Sequence, residues 1–246
     1  MIKFFRRIRQ RLLNENKISR YFLYAIGEIV LVVIGILIAL QINTWNQERL
    51  DKIRSVEFHH RLADELKTLE ERSKSDVKRA KELVEYLRSS VLILKRGALS
   101  ETAKDTLDFT LQNFFQFVRI EGELKAFEEM KSTGQLGLIY NRDLKEGLLN
   151  YLSFLEAISK VYDQLADKVN DTDPVDKYVT INIVKGTKNS TLDYNFNDMA
   201  RDNQLINKFS RFGYWWQTKQ QFSEALASMS GKLREEILEE IDKKDP

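Results

Sequence analysis

A single acidic residue interrupts the most apolar run of the chain. Glu28 lies inside residues 21–42, which read YFLYAIGEIVLVVIGILIALQI. An ionisable side chain at membrane depth is usually paired, buried between helices or part of a proton path. Gly35 and Ala39 share its helical face, and a small-xxx-small pair lets two helices approach closely. The pattern predicts a polar association site formed by Glu28, Gly35 and Ala39.

Three uses of Glu28 remain open. It faces a second copy of the chain in a homo-oligomer, which is the use we favour. It pairs with a polar group of a multi-span membrane partner, the arrangement found in proton-driven stator and energiser complexes. Alternatively it snorkels to the membrane surface, which is only about 10 Å away at the residue 21 end of the helix.

The two histidines are adjacent, at His59 and His60. Neighbouring helical positions point about 100° apart, so the pair cannot share a metal ion. His60 and Asp64 have i, i+4 spacing, but no obvious third ligand accompanies them. We therefore predict no metal site and no cofactor.

An aromatic triplet occupies positions 214–216. Trp216 continues the apolar stripe of a long helix, whereas Tyr214 and Trp215 point away from that stripe. They could line a surface for a partner. Packing in the core of a helical body is the alternative, and we favour it.

Familiar catalytic patterns are absent from the sequence. It has no phosphate-binding glycine loop, no H-E-x-x-H and no G-x-S-x-G, and its lack of cysteine excludes thiol nucleophiles and disulfides. The acids of residues 65–71 and 235–242 alternate with Lys and Arg, which is typical of solvated helix faces. We predict that the protein is not an enzyme.

The apolar run has the length of a membrane span. As a helix its 22 residues extend about 33 Å, which matches a hydrocarbon core of about 30 Å. It is longer than a signal-peptide core and lacks a small-x-small cleavage site. Tyr21 and Tyr24 at one end and Trp45 at the other are typical of interfacial aromatic belts.

Charge predicts the orientation of this span. Residues 1–20 carry a net charge of +6, although the whole chain carries only +2. Lys/Arg-rich flanks stay in the cytoplasm, so the body should be exported. The leader arginines either bind anionic lipid as part of an interfacial helix or only set the topology: Arg6, Arg7, Arg9 and Arg11. The body is mildly acidic, which argues against nucleic-acid binding.

Apolar periodicity predicts an all-α fold in three parts: a leader at 1–20, a transmembrane helix at 21–45 and a helical domain at 46–246. The first helix continues from the membrane to Arg96 and stops at Gly97; a hairpin near residues 73–75 is the alternative. Further helices are expected at about 107–118, 125–133, 141–169 and 202–241. An irregular insertion at 171–197 holds a short strand near 178–184. Three long and two short helices would pack as a bundle.

The N-terminal run FFRRIRQRLLNENKISRYFLYAIGEIVLVVIGILIALQINTWNQ resembles a bacterial family of single-pass membrane proteins, domain of unknown function six thousand and ninety. The basic leader, AIGEI around Glu28, VIGILIALQIN and the exit at residues 43–46 carry the resemblance. Residues 127–149, with Ser132-Thr133-Gly134, also look like a family element. The resemblance implies an inner-membrane protein with a periplasmic domain, and it implies no activity.

These expectations favour a membrane-anchored structural or interaction protein that self-associates through its transmembrane helix. Its partners would be the lipid bilayer and further copies of itself. A periplasmic ligand-sensing module is the first alternative. An accessory subunit of an energised transport or motor complex, using Glu28 and a multi-span partner, is the second.

Overall fold

The computed structural model describes residues 18–117, 122–170, 173–183 and 190–243. These residues are mainly helical, with one small two-stranded sheet, which confirms the all-α class. The chain divides into two compact units, Met1–Ser55 and Val56–Pro246. The predicted domain boundary at residues 45/46 stays a prediction.

The first helix, α1 (Ile18–Arg96), is continuous over 79 residues. This confirms the long helix and excludes the hairpin near residues 73–75, because that polar stretch contains no glycine or proline to break the helix. The helix ends where Gly97 takes a φ of +67°, a left-handed value that only glycine adopts easily. The Gly97 N–H donates to the carbonyl of Ile93 at 3.2 Å.

Two short helices follow. α2 (Glu101–Asn113) begins several residues before the predicted stripe, because Ser100 caps it by accepting a hydrogen bond from the Ala103 N–H. α3 (Lys125–Ser132) ends in a left-handed cap at Gly134, as predicted: its φ is +71°, and the Gln135 N–H donates to the Met130 carbonyl at 2.7 Å. A 3₁₀ turn at Leu136–Leu138 comes next.

The fourth helix, α4 (Arg142–Asn170), starts at the predicted cap. The Asn141 side-chain oxygen accepts hydrogen bonds from the Asp143 and Leu144 N–H groups. After it come a single helical turn, α5 (Asp173–Asp176), and an antiparallel pair of strands, β1 (Val179–Ile183) and β2 (Ser190–Tyr194). The first strand was predicted, but the polar sequence of the second gave no strand signal.

The last two helices of the described chain are α6 (Phe196–Arg201) and the long α7 (Asn203–Asp242), and Asp202 caps α7. Helices α4 and α7 run antiparallel, because Asn141 contacts Glu240 at one end and Tyr162 contacts Lys219 further along. Within the Val56–Pro246 unit, these helices and α1 bury a continuous core. Its largest fully buried aromatic side chains are Trp216, Tyr151, Tyr162, Phe114, Phe127, Phe209 and Phe212.

Candidate functional site

The predicted association face lies on α1 within the Met1–Ser55 unit. One apolar window of this helix has a mean hydropathy of 2.6 and no buried residue, so α1 is long and apolar enough to cross a membrane by length and composition. A Cβ placed on Gly35 would meet nothing within 4 Å. Glu28 is half-exposed and Ala39 is exposed. The face around Gly35 is therefore open in the single chain.

The structure describes only some of the residues predicted to lie at the membrane borders. Trp45 is 63% exposed, and its role as an interfacial anchor stays a prediction. The side chains of Tyr21 and Tyr24 and the leader arginines (Arg6, Arg7, Arg9 and Arg11) lie outside what the structure describes.

The histidine pair diverges, as its spacing predicted. His59 is buried, with 1% of its surface exposed, whereas His60 is exposed. In the described parts of the chain, no three acidic or histidine side chains lie close enough together to hold a metal ion.

The three residues of the aromatic triplet also differ in their burial. Tyr214 is 68% exposed and lines a shallow groove of about 280 Å³ between α1 and α7, together with Leu87, Val91 and Phe209. Trp215 is half-buried, with its ring centroid 5.5 Å from that of Phe212. Trp216 is fully buried in the core.

The body also contains an open cleft of about 940 Å³ between α1 and α4. Successive turns of both helices line the cleft. The lining residues are Glu65, Leu69 and Arg72 from α1, and Leu152, Leu155 and Ser159 from α4. Residues 122–125 bridge the two helices. Sequence reasoning missed this cleft, since its lining positions look like ordinary helix faces.

Two features fix the shape of this cleft. Gly122 lies so close to the helices that an added Cβ would stand 2.8 Å from the Leu69 Cδ2 and 3.2 Å from the Leu155 Cδ2. The Glu65 carboxylate accepts a hydrogen bond from the Ala126 N–H, with both oxygens at 3.2 Å from the nitrogen. Partial burial raises the pKa of Glu65 above its ordinary value, against the opposing effect of that hydrogen bond.

Two buried charged side chains were also missed. Glu70, predicted to lie on a solvated face, is only 8% exposed, because its carboxylate bridges Lys74 of its own helix and Arg234 of α7. Lys219 is 2% exposed and lies 3.6 Å from the Asp76 Oδ1. A sequence signal for Lys219 existed, since it falls three residues after Trp216 on the apolar stripe of α7.

Comparison with known proteins bears on the N-terminal part of the chain. No curated protein and no solved structure matches the chain. The second stretch of resemblance, at residues 127–149, lies outside the range in which a family match is found. That match begins at Glu28, passes through Gly35 and Ala39 and continues beyond the end of α1 into the start of α2. Over residues 28–102 the chain is similar to a family of unknown function (DUF6090).

Proposed function

We propose that this protein is a membrane-anchored structural or interaction protein, whose copies associate through the face of α1 that carries Glu28, Gly35 and Ala39. The observation that carries the proposal is the open surface beside Gly35, flanked by exposed apolar side chains and one acid. A second copy would cover this surface.

The energetics of insertion support this use of the face. A central acid costs about 2.5–3.5 kcal/mol on insertion scales, while the ten Leu, Ile and Val residues of positions 29–40 contribute about 0.3–0.6 kcal/mol each. The segment therefore inserts despite Glu28. Once inserted, the acid is better placed against another helix than against lipid, because lipid offers it no hydrogen-bond partner.

The proposed topology follows from charge. The leader, with a net charge of +6, stays in the cytoplasm, and the helical body lies in the periplasm of a bacterium whose inner membrane holds the span. The resemblance to a bacterial membrane family supports this placement. In this arrangement the body presents its helical surfaces to periplasmic partners.

Cysteine cross-linking in native membranes tests the association face. The chain has no cysteine, so a single substitution reports one position. We expect Ala39→Cys to form a disulfide-linked dimer under mild oxidation, because a disulfide requires Cα atoms within about 7 Å of each other. The matched control is Leu37→Cys, two residues away, which faces the opposite side of the helix.

Equal cross-linking of the two cysteine variants would indicate random collision of the helices and would contradict the assignment of the association face. An absence of cross-linking in both variants would contradict close self-association of the helices. Cross-linking confined to Ala39→Cys supports the proposal.

A ligand-sensing role is the second candidate, and the cleft between α1 and α4 favours it. Its volume of about 940 Å³ lies within the range of small-molecule sites, and its lining includes leucines. Saturable thermal stabilisation by a small molecule, abolished in Thr68→Trp, would support this role. Lys67→Trp is the matched control, because Thr68 lines the cleft while its exposed neighbour is outside the lining. Stabilisation that survives Thr68→Trp would place the ligand elsewhere.

A further inference from the structure

The buried lysine of α7 lies among aromatic rings. The Lys219 ammonium nitrogen is 5.0 Å from the ring centroid of Phe117, 5.4 Å from that of Trp216 and 5.8 Å from that of Tyr162. All three distances fall within the roughly 6 Å over which a cation is attracted to a ring. Lysine is almost never fully buried unless its charge is compensated, so attraction to these rings offsets part of the cost of burying the ammonium group.

A carboxylate also lies beside the ammonium group. The Asp76 Oδ1 lies 3.6 Å from the Lys219 ammonium, and the Asp76 side chain is 31% exposed. Burial lowers the pKa of Lys219, while the charge of Asp76 acts in the opposite direction. Aromatic rings are the groups by which proteins recognise ammonium ligands, and a nearby carboxylate favours the charged form.

The rings are held by contacts that do not involve the ammonium group. The Tyr162 hydroxyl donates to the main-chain carbonyl of Lys219 at 3.0 Å, and the Trp216 indole N–H donates to the carbonyl of Phe114 at 2.9 Å. Phe117 packs edge-to-face on Trp216 and on Tyr162, with centroids 5.0 and 5.7 Å apart. None of these contacts uses the Lys219 side chain, so the rings of Phe117, Tyr162 and Trp216 are positioned independently of it and form a preorganised cage.

We propose that Phe117, Tyr162, Trp216 and Asp76 form an ammonium-binding site inside the body, and that the chain's own Lys219 occupies it. The ligand class is a primary alkylammonium. In the native protein the bound lysine joins α1, α4 and α7 to the segment that follows α2. This assignment does not depend on how the membrane helix associates.

Chemical rescue tests the site in the full-length protein in mild detergent. Lys219→Ala removes the outer part of the side chain, and n-propylammonium supplies the same atoms. We expect Lys219→Ala to lower the thermal midpoint, and n-propylammonium chloride to raise it again in a saturable manner, because a ligand that binds only the folded state stabilises it. The wild-type protein, whose site is filled, should not respond to the same salt.

Two comparisons separate ammonium recognition from simple cavity filling. n-Propanol has nearly the same size without the charge, and it should rescue Lys219→Ala much less. In Lys219→Ala/Asp76→Asn, the apparent affinity for n-propylammonium should fall several-fold. Equal rescue by propanol, or an unchanged affinity in the double variant, would overturn the proposal.

If Lys219→Ala does not fold, the wild-type protein provides a second test of the site. Ring currents from three aromatic faces should shift the ε-methylene protons of Lys219 upfield of those of the exposed lysines in NMR spectra. Lys219→Met identifies the signal by its loss. A Lys219 signal at the position of the exposed lysines would show that no cage surrounds the ammonium group.

Discussion

At the scale of single residues, Glu70 ties α1 to α7 through charge. Its carboxylate accepts hydrogen bonds from Lys74 at 2.5 Å and from Arg234 at 3.1 Å, and the side chain is 8% exposed. Gly231 permits this approach, because a Cβ there would stand 3.2 Å from the Glu70 Oε1. The sequence pattern placed Glu70 on a solvated face, since its i, i+4 pairing with Lys74 is also the pattern of exposed helices.

The Glu70 pair predicts a pH-dependent loss of stability. The hydrogen bond from Lys74 lowers the pKa of Glu70 below its ordinary value of 4.5, so the contribution is present above pH 4.5 and is lost as the pH falls through the lowered pKa. Glu70→Gln should reduce the free energy of unfolding near neutral pH by about 1–3 kcal/mol. Denaturant unfolding followed by tryptophan fluorescence measures this difference.

The difference between wild type and Glu70→Gln should shrink in acid, because the wild-type carboxyl then loses its charge too. Glu71→Gln, at the exposed neighbouring position, is the control and should change little. A difference that stays constant from neutral pH to strong acid would contradict the role of the charge.

Lys219 predicts a second pH dependence, in the alkaline range, in which stability again rises with pH. Burial lowers its pKa from 10.5, so between the lowered value and pH 10.5 the unfolded chain binds more protons than the folded one. The stability contributed at this position therefore rises with pH in that window. Lys219→Met should be as stable as wild type or more stable near neutral pH, because Met keeps the apolar contacts and removes the charge that burial penalises, while the Asp76 side chain, which is 31% exposed, keeps its contact with water.

The alkaline comparison uses Lys232→Met as its control, since that lysine is 77% exposed. The free energy of unfolding of Lys219→Met, relative to that of wild type, should fall as the pH approaches 10.5. The same comparison for the control should not change in this way. An advantage that does not change with pH would mean that Lys219 titrates as an ordinary lysine.

At the scale of elements, the apolar period predicted where helices exist better than where they begin. The stripe through Leu107 and Leu111 marked only the buried part of α2, whose start is set by the polar cap at Ser100. The caps at Asn141 and Gly134 were predictable, because those residues have few other uses beside a helix end. Strand β2 was not predictable, since its pairing with β1 supplies the stability that its own sequence lacks.

The left-handed cap of α3 gives a test at this scale. Gly134 has a φ of +71°, which a residue with a Cβ adopts only at a cost of about 1–2 kcal/mol. Gly134→Ala should therefore lower the free energy of unfolding by about that amount. Gly137→Ala, three residues later, is the matched control: a Cβ there meets nothing within 4 Å, and its φ is not positive. Equal effects of the two substitutions would contradict the cap.

At the scale of the whole molecule, sequence and structure contribute different parts of the candidate sites. The line through Glu28, Gly35 and Ala39 can be found from periodicity alone, because all three residues lie on one helix. The cleft between α1 and α4 and the cage around Lys219 join residues far apart in the chain. Gly122, Phe117 and Asp76 gave no signal for them, since a tertiary contact leaves no local pattern in one sequence.

The proposed function requires that copies of the chain associate through one face of α1. The most direct measurement is native mass spectrometry of the full-length protein in mild detergent, beside Glu28→Leu, Gly35→Leu and Gly27→Leu. A Cβ at either glycine meets nothing within 4 Å in the single chain, but Gly27 lies off the Glu28 face, so Gly27→Leu is the matched control.

We predict a homo-oligomer for wild type and Gly27→Leu, and a smaller assembly for Glu28→Leu and Gly35→Leu. Glu28→Leu removes the polar contact between helices, and Gly35→Leu prevents their close approach. A monomeric wild type, or one mass for all four proteins, would contradict the claim. A wild-type complex with a multi-span protein and no second copy would also contradict it, and would make Glu28 a candidate contact to that partner.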